Sequence, residues 1–437
     1  MDMEPRAEEP ARLIEMKSRL LAPCTRHFYA RPPHFVRGLM QYLWDSDGKR
    51  YLDCFSGVSV NSCGHCNTAI VEAAAAQMAT LQHLSSIYLT APALALAERL
   101  AAVMPDGITR SFFCNSGSEA NETAFLAARL HTGKRRLLSI EGGLHGRTFL
   151  GMATTGLPMW RTDPFLPAIG ADGPDATVLP GVYDETTGRV TPARVARSLE
   201  ATERAMARGD VAAMIVEPIQ GNGGIVPLPD EYIRGIRRLA SASGALLIAD
   251  EVQTGFARTG SMFAIDVSGA RPDIVTAAKA LGNGTPVAAC CATEAVASSF
   301  AKPSASTLGG NPVSAAAALA VLDYIEDEGL AARAAALGSM LERGLRDLAA
   351  KHPAVADVRG RGLMLGAEIR KPDGAPDPEG VDLVLEHCKD AGPVIGKNGL
   401  HRNVLDFQPP LVISETDVSF ALETLDSALG SLEASRD

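Results

Sequence analysis

The chain lacks the features that mark several classes of protein. Its formal net charge is −10 and it has no run of basic residues, which argues against a nucleic-acid-binding surface. No apolar stretch reaches the length of a membrane span, so we expect no membrane insertion. The N-terminal stretch MDMEPRAEEPARLIEMKSRLL is charged and has no apolar core of the signal-peptide type, and we therefore expect a cytoplasmic protein.

Cysteines at metal-binding spacing are also scarce. The eight cysteines are scattered along the chain, and a cytosolic protein keeps such thiols reduced. Cys63 and Cys66 stand apart because they form Cys-Gly-His-Cys, a sequence typical of redox-active dithiols. No second Cys-x-x-Cys or His-x-x-x-His lies nearby in the sequence, and we expect no metal site. A redox protein, or a binding module without catalysis, is one function to be tested.

Two short apolar runs in this chain of 437 residues indicate buried strands. Ala245–Ala249 is rich in Leu and Ile, as expected in a parallel sheet, and Asp250 and Glu251 follow it directly. The run DIVTAA predicts a second strand, which is followed by Lys279 and a glycine-rich turn. Because open α/β sheets bind ligands at the carboxyl ends of their strands, Asp250 and Lys279 are placed to meet one.

An acid and a lysine at such strand ends are the minimum apparatus for pyridoxal 5′-phosphate (PLP) chemistry. The carboxylate of Asp250 would keep the pyridine nitrogen protonated, which makes the ring an electron sink. The amine of Lys279 would hold the aldehyde as a Schiff base and act as general base once a substrate amine displaces it. The simpler alternative is a surface lysine at the end of a strand.

The stretch RSFFCNSGSEANETAFLAAR predicts a strand, a tight turn and a helix. Free backbone N–H groups and the positive end of the helix dipole make such a turn a phosphate site. Gly117 lets the chain approach a ligand closely. A plain capped helix without a ligand is the alternative.

Several ordered motifs together resemble the class III (omega-type) aminotransferases, which are PLP-dependent enzymes of fold type I. The motifs are FFCNSGSEANETAFLAAR, DEVQTGFARTG, AKALGNGTP and STLGGNPVSAAAALAVL. The likeness covers nearly the whole chain, and the branch it points to includes alanine–glyoxylate aminotransferases and aminophosphonate or phospho-amine lyases. It implies an α/β fold in which a large domain with a mostly parallel central sheet is joined to a smaller α+β domain.

This resemblance also implies a division of the chain. Residues 1–60 would form an N-terminal arm and part of the small domain, residues 61–315 the large PLP-binding domain, and residues 316–437 the C-terminal small domain. Residues up to about Pro33 are expected to be helical, and the long helical pattern after Asn311 is broken near Gly329. Residues 166–190 are rich in Gly, Pro and Asp, which predicts a surface loop.

The resemblance assigns roles to individual residues. Gly117 and Ser118 would cradle the cofactor phosphate. Thr307 would reach the phosphate of the neighbouring subunit, which implies a homodimer or a dimer of dimers. Leu144 replaces an aromatic residue that stacks on the pyridine in the family, so a ring–ring contribution of roughly 0.5–1.5 kcal/mol is lost. The other implied cofactor contacts are His145, Asp250, Val252, Gln253 and Lys279.

The chain departs from the family at two positions that recognise a substrate carboxylate in many members. Asp406 stands where an arginine binds the α-carboxylate, and Asn222 stands where a glutamate pairs with that arginine. An aspartate opposite a substrate carboxylate would repel it. The alternatives are recognition by Arg361 or Arg402, a substrate that is not an α-amino dicarboxylate, or an Asp406 side chain that points away.

Two further residues are candidates for substrate contact. Glu217 ends a predicted strand on the same edge as Asp250 and Lys279, although such an acid is equally suited to a structural role. Tyr88 lies between two predicted helices, where it would face a substrate channel or pack as an ordinary loop tyrosine.

The favoured function is transfer of an amino group from an amine or amino acid to a keto acid such as pyruvate or glyoxylate. A lyase that expels a β-substituent from an amino-alcohol phosphate or aminophosphonate shares the early steps, and a racemase or epimerase uses the same cofactor. A bound chromophore would separate all of these from a redox protein, and a keto-acid requirement would separate the transaminase from the lyase. The expected partners are a small-molecule amine and a keto acid.

Overall fold

The computed structural model describes residues 10–436. The first part of this range contains four helices and three strands of a small sheet. These elements are α1 (Pro10–Leu20), β1 (Phe35–Leu39), β2 (Tyr42–Asp45), β3 (Arg50–Asp53), α2 (Ser56–Ser59), α3 (Thr68–Thr80) and α4 (Ala91–Val103). β2 and β3 form an antiparallel hairpin around an Asp-Gly turn, in which Gly48 has a φ of 82° and its N–H donates to Asp45 O at 3.1 Å. Residues 1–9 of the predicted N-terminal arm, and residue 437, lie outside the described residues.

The central part of the chain builds a seven-stranded sheet and the helices that flank it. Its elements are β4 (Ile108–Cys114), α5 (Gly117–Thr132), β5 (Arg136–Ile140), α6 (Phe149–Thr154), β6 (Ala176–Leu179), β7 (Tyr183–Asp184), β8 (Arg189–Val190), α7 (Pro192–Met206), β9 (Val211–Val216), β10 (Ile219–Gln220), β11 (Val226–Pro227), α8 (Asp230–Ser243), β12 (Leu246–Asp250), α9 (Ile265–Ser268), β13 (Ile274–Ala277), β14 (Ala288–Thr293) and α10 (Glu294–Ser298). The strand order is β4-β14-β13-β12-β9-β5-β6, and only β14 runs antiparallel to its neighbours. The predicted mostly parallel central sheet is confirmed.

The middle strands of this sheet are buried on both faces. Every residue of β9 and β12 is buried, which fits the apolar sequence of β9 and the apolar run 246–249 that precedes Asp250 in β12. The carboxyl ends of β5, β6, β9, β12 and β13 lie at one edge because these strands are parallel, and β4 ends there too because it and β13 are both antiparallel to β14. The chain therefore brings six strand ends to one edge, with Asp250 at the end of β12 and Lys279 just beyond β13.

The C-terminal part of the chain forms a second, antiparallel sheet covered by helices. Its elements are α11 (Pro312–Asp327), α12 (Leu330–Lys351), β15 (Val355–Arg361), β16 (Met364–Ile369), α13 (Pro378–Ala391), β17 (Pro393–Val394), β18 (Gly396–Asn398), β19 (Val404–Phe407) and α14 (Glu415–Ala434). The sheet order is β15-β16-β19-β18, and β17 instead pairs with β3, so the first strands share a sheet with the C-terminal region. Within residues 10–436, no helix has the length and apolar character needed to cross a bilayer.

The junction of the two regions lies close to Gly329. Gly329 has a φ of 56° and separates α11 from α12, as the break in the helical pattern predicted. α11 packs against α3 and α4, whereas α12 packs against β15 and α14. The predicted domain boundary between residues 315 and 316 therefore falls inside α11, and the division into domains stays a prediction.

The prediction of a surface loop over residues 166–190 is wrong. Ala176–Leu179 forms β6, which pairs in parallel with β5 at the edge of the central sheet, and all four of its residues are buried. β7 and β8 then form a short antiparallel hairpin. The apolar run of β6 is only four residues long and is flanked by Gly, Pro and Asp, so the local composition concealed a strand that tertiary contacts define.

Candidate functional site

A cavity of about 430 Å³ opens where the carboxyl ends of the strands meet. The residues around it come from the turn before α5, the segments after β5, β9 and β12, and the turn that contains Lys279. Most residues predicted for cofactor or substrate binding line it, namely Gly117, Ser118, Leu144, His145, Glu217, Asn222, Asp250, Val252, Gln253 and Lys279. The site is therefore assembled from segments that lie far apart in the sequence.

Asp250 is held in a fixed orientation by three donors. Its Oδ2 accepts hydrogen bonds from His145 Nδ1 at 2.8 Å and from Asn121 Nδ2 at 2.9 Å. Its Oδ1 accepts only a longer bond of 3.2 Å from the N–H of Val252, which leaves acceptor capacity free at that oxygen. Asn121 was not predicted, although it lies four residues after Gly117 and thus on the same face of α5.

Lys279 begins a short 3₁₀-helix directly after Ala278 and has a φ of 46°, a left-handed conformation that is uncommon for a lysine. Among residues 10–436, no group forms a hydrogen bond or ion pair with its Nζ. Burial lowers the pKa of Lys279, and the negative charges of Glu217, Asp250 and Asp406 oppose that effect. A lowered pKa increases the fraction of neutral amine, the form that can act as nucleophile or base.

The beginning of α5 provides backbone donors at the other end of the cavity. The side chain of Ser116 caps the helix by accepting from the N–H of Glu119 at 3.3 Å. No acceptor among the described residues binds the N–H groups of Gly117 and Ser118, and both residues line the cavity. A Cβ atom at position 117 would lie 2.7 Å from Val252 Cγ1, so glycine is required for this close packing.

Leu144 and Glu217 form a further part of the lining. The backbone N–H of Leu144 donates to Glu217 Oε1 at 2.8 Å, and the N–H of Gly221 donates to Glu217 Oε2 at 3.1 Å. Burial and the charge of Asp250 raise the pKa of Glu217 to about 7. Glu217 thus holds two loops of the site together, and its raised pKa favours the protonated form more than in an exposed glutamate.

Asp406 does not line the cavity. It is fully buried in β19, where Gln408 Nε2 lies 2.8 Å from each of its carboxylate oxygens and Asn398 Nδ2 donates to Oδ2. Burial raises the pKa of Asp406 to about 7, although the hydrogen bond from Gln408 and the positive charges of Lys279 and Arg258 lower it. The structure therefore places Asp406 behind the residues that line the cavity, and its role toward a substrate stays a prediction.

The other candidates for carboxylate or substrate binding also lie elsewhere. Arg361 faces Asp230, with Nη2 3.6 Å from Oδ1, and the guanidinium of Arg402 stacks over the ring of Phe28. Tyr88 is exposed and lines a separate cavity of about 350 Å³. Among the described residues, no arginine lines the cavity that contains Lys279.

Thr307 is exposed in the loop before α11 and lies outside the cavity of its own chain. The neighbouring Ser306 accepts a hydrogen bond of 3.2 Å from Asn115 Nδ2, which ties this loop to the end of β4. The placement leaves the Thr307 side chain available to another molecule.

The Cys-Gly-His-Cys sequence has a structural place in the fold. Cys63 is completely buried, Cys66 is exposed, and both are free thiols. Burial raises the pKa of the Cys63 thiol to about 12, so almost no reactive thiolate forms at neutral pH. The N–H of Cys63 donates to Asn283 Oδ1 at 2.9 Å, and Asn283 Nδ2 donates to Gly64 O at 2.9 Å. The motif thus supports the turn that carries Lys279.

The residues of the cavity fit PLP. Asp250 Oδ1 has acceptor capacity for a protonated ring nitrogen, and Lys279 Nζ is an unpaired amine that can bind an aldehyde. The free N–H groups at the start of α5 suit a phosphate. Leu144 and Val252 supply the apolar surface that a flat ring requires.

Comparisons with known proteins also point to a PLP-dependent enzyme. The family model described as aminotransferase class-III matches residues 30–429. The alanine–glyoxylate aminotransferase 2 homolog 2, mitochondrial, of Arabidopsis thaliana is 36% identical over 436 residues, covering 96% of this chain and 87% of that protein. An acetylornithine aminotransferase of Streptomyces coelicolor is 40% identical over 398 residues, covering 90% of each chain. The structure of an Arthrobacter phospholyase in complex with phosphoethanolamine has a TM-score of 0.87 and 32% identity, and it covers 96% of this chain and 99% of that chain.

These matches extend over nearly the whole chain and agree with the geometry of the cavity. They confirm the predicted fold type I and the predicted cofactor, PLP. They give no support to a redox protein built on Cys63 and Cys66. The chain belongs to the class III aminotransferases and is a PLP-dependent enzyme that moves an amino group from an amine or amino acid to a keto acid.

Proposed function

We propose that Lys279 holds PLP covalently through Nζ and moves the proton during transamination, with Asp250 paired to the ring nitrogen. The observation that carries this proposal is the unpaired Lys279 amine in the same cavity as a carboxylate whose Oδ1 has free acceptor capacity. When bound, PLP supplies an electron sink for the charge left on the substrate carbon after a proton is removed. The free N–H groups of Gly117 and Ser118 would hold the phosphate.

The residues around Lys279 support its role as a base. A neutral amine is needed to accept a proton, and burial lowers the pKa of Lys279 in that direction. His145 and Asn121 keep the Asp250 carboxylate oriented towards the cavity, since both donate to its Oδ2. Leu144 and Val252 add apolar surface to the cavity lining, and such surface lowers the local polarity and strengthens charge interactions inside the site.

The substrate would be an amine or amino acid without a second carboxylate, with a small keto acid as acceptor. Glu217 and Asp250 line the cavity, Asp406 lies behind it, and no arginine among residues 10–436 reaches it. A second substrate carboxylate roughly 8 Å from one such charge would be repelled by about 2 kcal/mol at an effective dielectric constant of about 20. The name of one relative, which includes alanine and glyoxylate, is compatible with a small donor and a small acceptor.

A donor comparison tests this specificity. We expect kcat/KM for glutamate to be at least about tenfold below that for alanine, because charge repulsion of about 2 kcal/mol corresponds to more than one order of magnitude. The variant Asn222→Arg places a cation on the cavity lining and should improve glutamate relative to alanine, whereas the uncharged control Asn222→Gln should not. Wild-type enzyme that prefers glutamate to alanine and the ω-amines would contradict the proposal.

The same assay distinguishes the lyase. The structural similarity to a phospholyase bound to phosphoethanolamine makes this reaction the second candidate. A transaminase needs a keto acid for continued turnover and forms a new amino acid, whereas a lyase releases ammonia and phosphate without a keto acid. We expect turnover with amine donors to stop when the keto acid is omitted.

We further propose that the working unit is a homodimer in which Thr307 contacts the phosphate bound by the partner subunit. Thr307 is exposed and lies outside its own cavity. Large apolar side chains are exposed elsewhere on the chain, with Ile87 77% and Leu89 88% accessible, as expected of a surface that another subunit covers. Two-fold dimers are also the commonest closed assembly.

Subunit mixing tests the shared site. The variants Lys279→Ala and Thr307→Ala should each be impaired as homodimers. After the two variants are mixed and exchanged, heterodimers contain one site with both Lys279 and Thr307 intact, so activity should exceed the sum of the separate samples. Mixed samples that exchange subunits but gain no activity, or sedimentation of a fully active monomer, would contradict the proposal.

A further inference from the structure

A chain of buried polar side chains connects β19 to the wall of the cavity. Asp406 accepts from Gln408 Nε2, with 2.8 Å to each carboxylate oxygen. Gln408 Oε1 in turn accepts from Gln253 Nε2 at 3.1 Å and from the hydroxyl of Ser59. Gln253 lines the cavity that contains Lys279, whereas Asp406 and Gln408 do not.

We propose that Asp406 is a positioning residue that acts through Gln408 to fix the amide orientation of Gln253, and thereby the way in which the cavity holds PLP. This inference rests on the proposed role of the cavity in binding PLP. It gives Asp406 a role that does not involve contact with the substrate.

The orientation follows from the donor and acceptor capacity of each group. An ionised carboxylate only accepts hydrogen bonds, so Gln408 must turn its amide nitrogen towards Asp406. The amide oxygen of Gln408 then faces Gln253, which must present its own nitrogen. Burial raises the pKa of Asp406 to about 7, and the hydrogen bond from Gln408 and the positive charges of Lys279 and Arg258 oppose that effect. The donors Gln408 Nε2 and Asn398 Nδ2 both face its carboxylate oxygens, as the acceptor role requires.

Gln408 and Gln253 have little freedom to reorient. The backbone N–H of Gln408 donates to Cys54 O at 2.8 Å, and its carbonyl accepts from Ser56 Oγ at 2.7 Å. On the other side, the amide oxygen of Gln253 packs so closely against Gly221 that a Cβ atom at position 221 would overlap it. Replacing an acceptor by a donor at position 406 would therefore disturb the hydrogen bonds of Gln408 and then of Gln253, which lines the cavity.

The test uses three variants that change the polarity of position 406, of position 408, or of both. Asp406→Asn keeps the shape of the side chain but places an amide nitrogen against the nitrogen of Gln408, so one of the buried amides must flip or lose a partner. The double variant Asp406→Asn with Gln408→Glu restores complementarity, because a carboxylate at position 408 accepts both from the new amide at position 406 and from Gln253. Gln408→Glu alone places two carboxylates side by side and should be impaired as well.

The readouts are the visible circular-dichroism band of the bound PLP, the dissociation constant for PLP, and the melting temperature of the protein. We expect Asp406→Asn to change the band and raise the dissociation constant about tenfold, as one mispaired buried polar contact implies. The double variant should return the band to the wild-type shape and the constant to within about twofold. A purely structural role would lower the melting temperature without changing the band.

Two results would overturn the inference: an unchanged band and constant in Asp406→Asn, or a folded double variant as impaired as the single one. If Asp406→Asn does not fold, the inference requires that the double variant folds with the wild-type band, and failure of both contradicts it. Wild-type enzyme in which Lys279 carries no PLP would instead refute the proposed function, so the two failures are distinguishable.

Discussion

Lys279→Ala is expected to lower kcat by roughly 10⁴-fold, at the upper end of the range for loss of a general acid–base group. Lys279 supplies the only amine that lines the cavity among the residues described, and no other lining residue can both hold an aldehyde and accept the proton. PLP should still bind, because the phosphate site at the start of α5 and the carboxylate of Asp250 remain. Single-turnover kinetics with alanine as the amino donor measure the loss of the chemical step. Retention of PLP on dialysis measures cofactor binding separately.

Two controls separate chemistry from structure in this experiment. Lys279→Arg keeps a long cationic side chain, but its guanidinium stays protonated and should be as inactive as the alanine variant. A small added amine should restore part of the activity of Lys279→Ala, because it can enter the space of the missing side chain and take up the proton. An alanine variant that retains more than about a tenth of wild-type kcat would contradict the role of Lys279 as the base.

Asp250→Asn is expected to retain PLP but to lose roughly 10- to 1000-fold in kcat. An opposite charge within about 4–6 Å shifts a pKa by about one to three units in favour of the charged form, and the asparagine would remove that support from the ring nitrogen. The amide oxygen can still accept from His145 Nδ1 and Asn121 Nδ2, while the amide nitrogen can donate to an unprotonated ring nitrogen. The measurement is the rate of proton removal from a donor deuterated at the reacting carbon.

Glu251→Gln is the matched control for this variant. Glu251 is the adjacent acid, but it is fully buried away from the cavity and accepts from the N–H groups of Ala264 and Ile265 at 3.1 and 2.7 Å. The substitution should lower the melting temperature and leave the spectrum of bound PLP unchanged. If Asp250→Asn kept near-normal turnover, the carboxylate would not have the proposed role.

The principal site residues could be predicted because each follows a strongly apolar strand. Ala245–Ala249 and the run before Lys279 have the composition of buried parallel strands, and parallel strands bring their carboxyl ends to one edge. The turn before α5 was recognisable from its serine cap and glycine, which form the start of a helix. The periodicity and turn signals are local, and they also located the break at Gly329.

The polar chain behind the cavity could not be predicted in the same way. Asp406 occurs in β19, where all four residues are buried, so no alternation of polar and apolar residues shows which way the side chain points. Its contacts with Gln408 and, through it, with Gln253 join residues more than 150 positions apart. The contacts of Arg258 are also distant in the sequence. Arg258 is completely buried, and its guanidinium donates to Leu363 O, 105 residues later, and to Ser62 Oγ, 196 residues earlier.

Covalent binding of PLP to Lys279 can be tested by chemical reduction followed by peptide mapping. PLP-replete enzyme is treated with borohydride, which makes the link between the cofactor and the lysine permanent, and is then digested and sequenced by mass spectrometry. We expect a phosphopyridoxyl group on the peptide that contains Lys279 and on no other lysine. A modification at a different lysine, or no modification in protein that contains PLP, would contradict it.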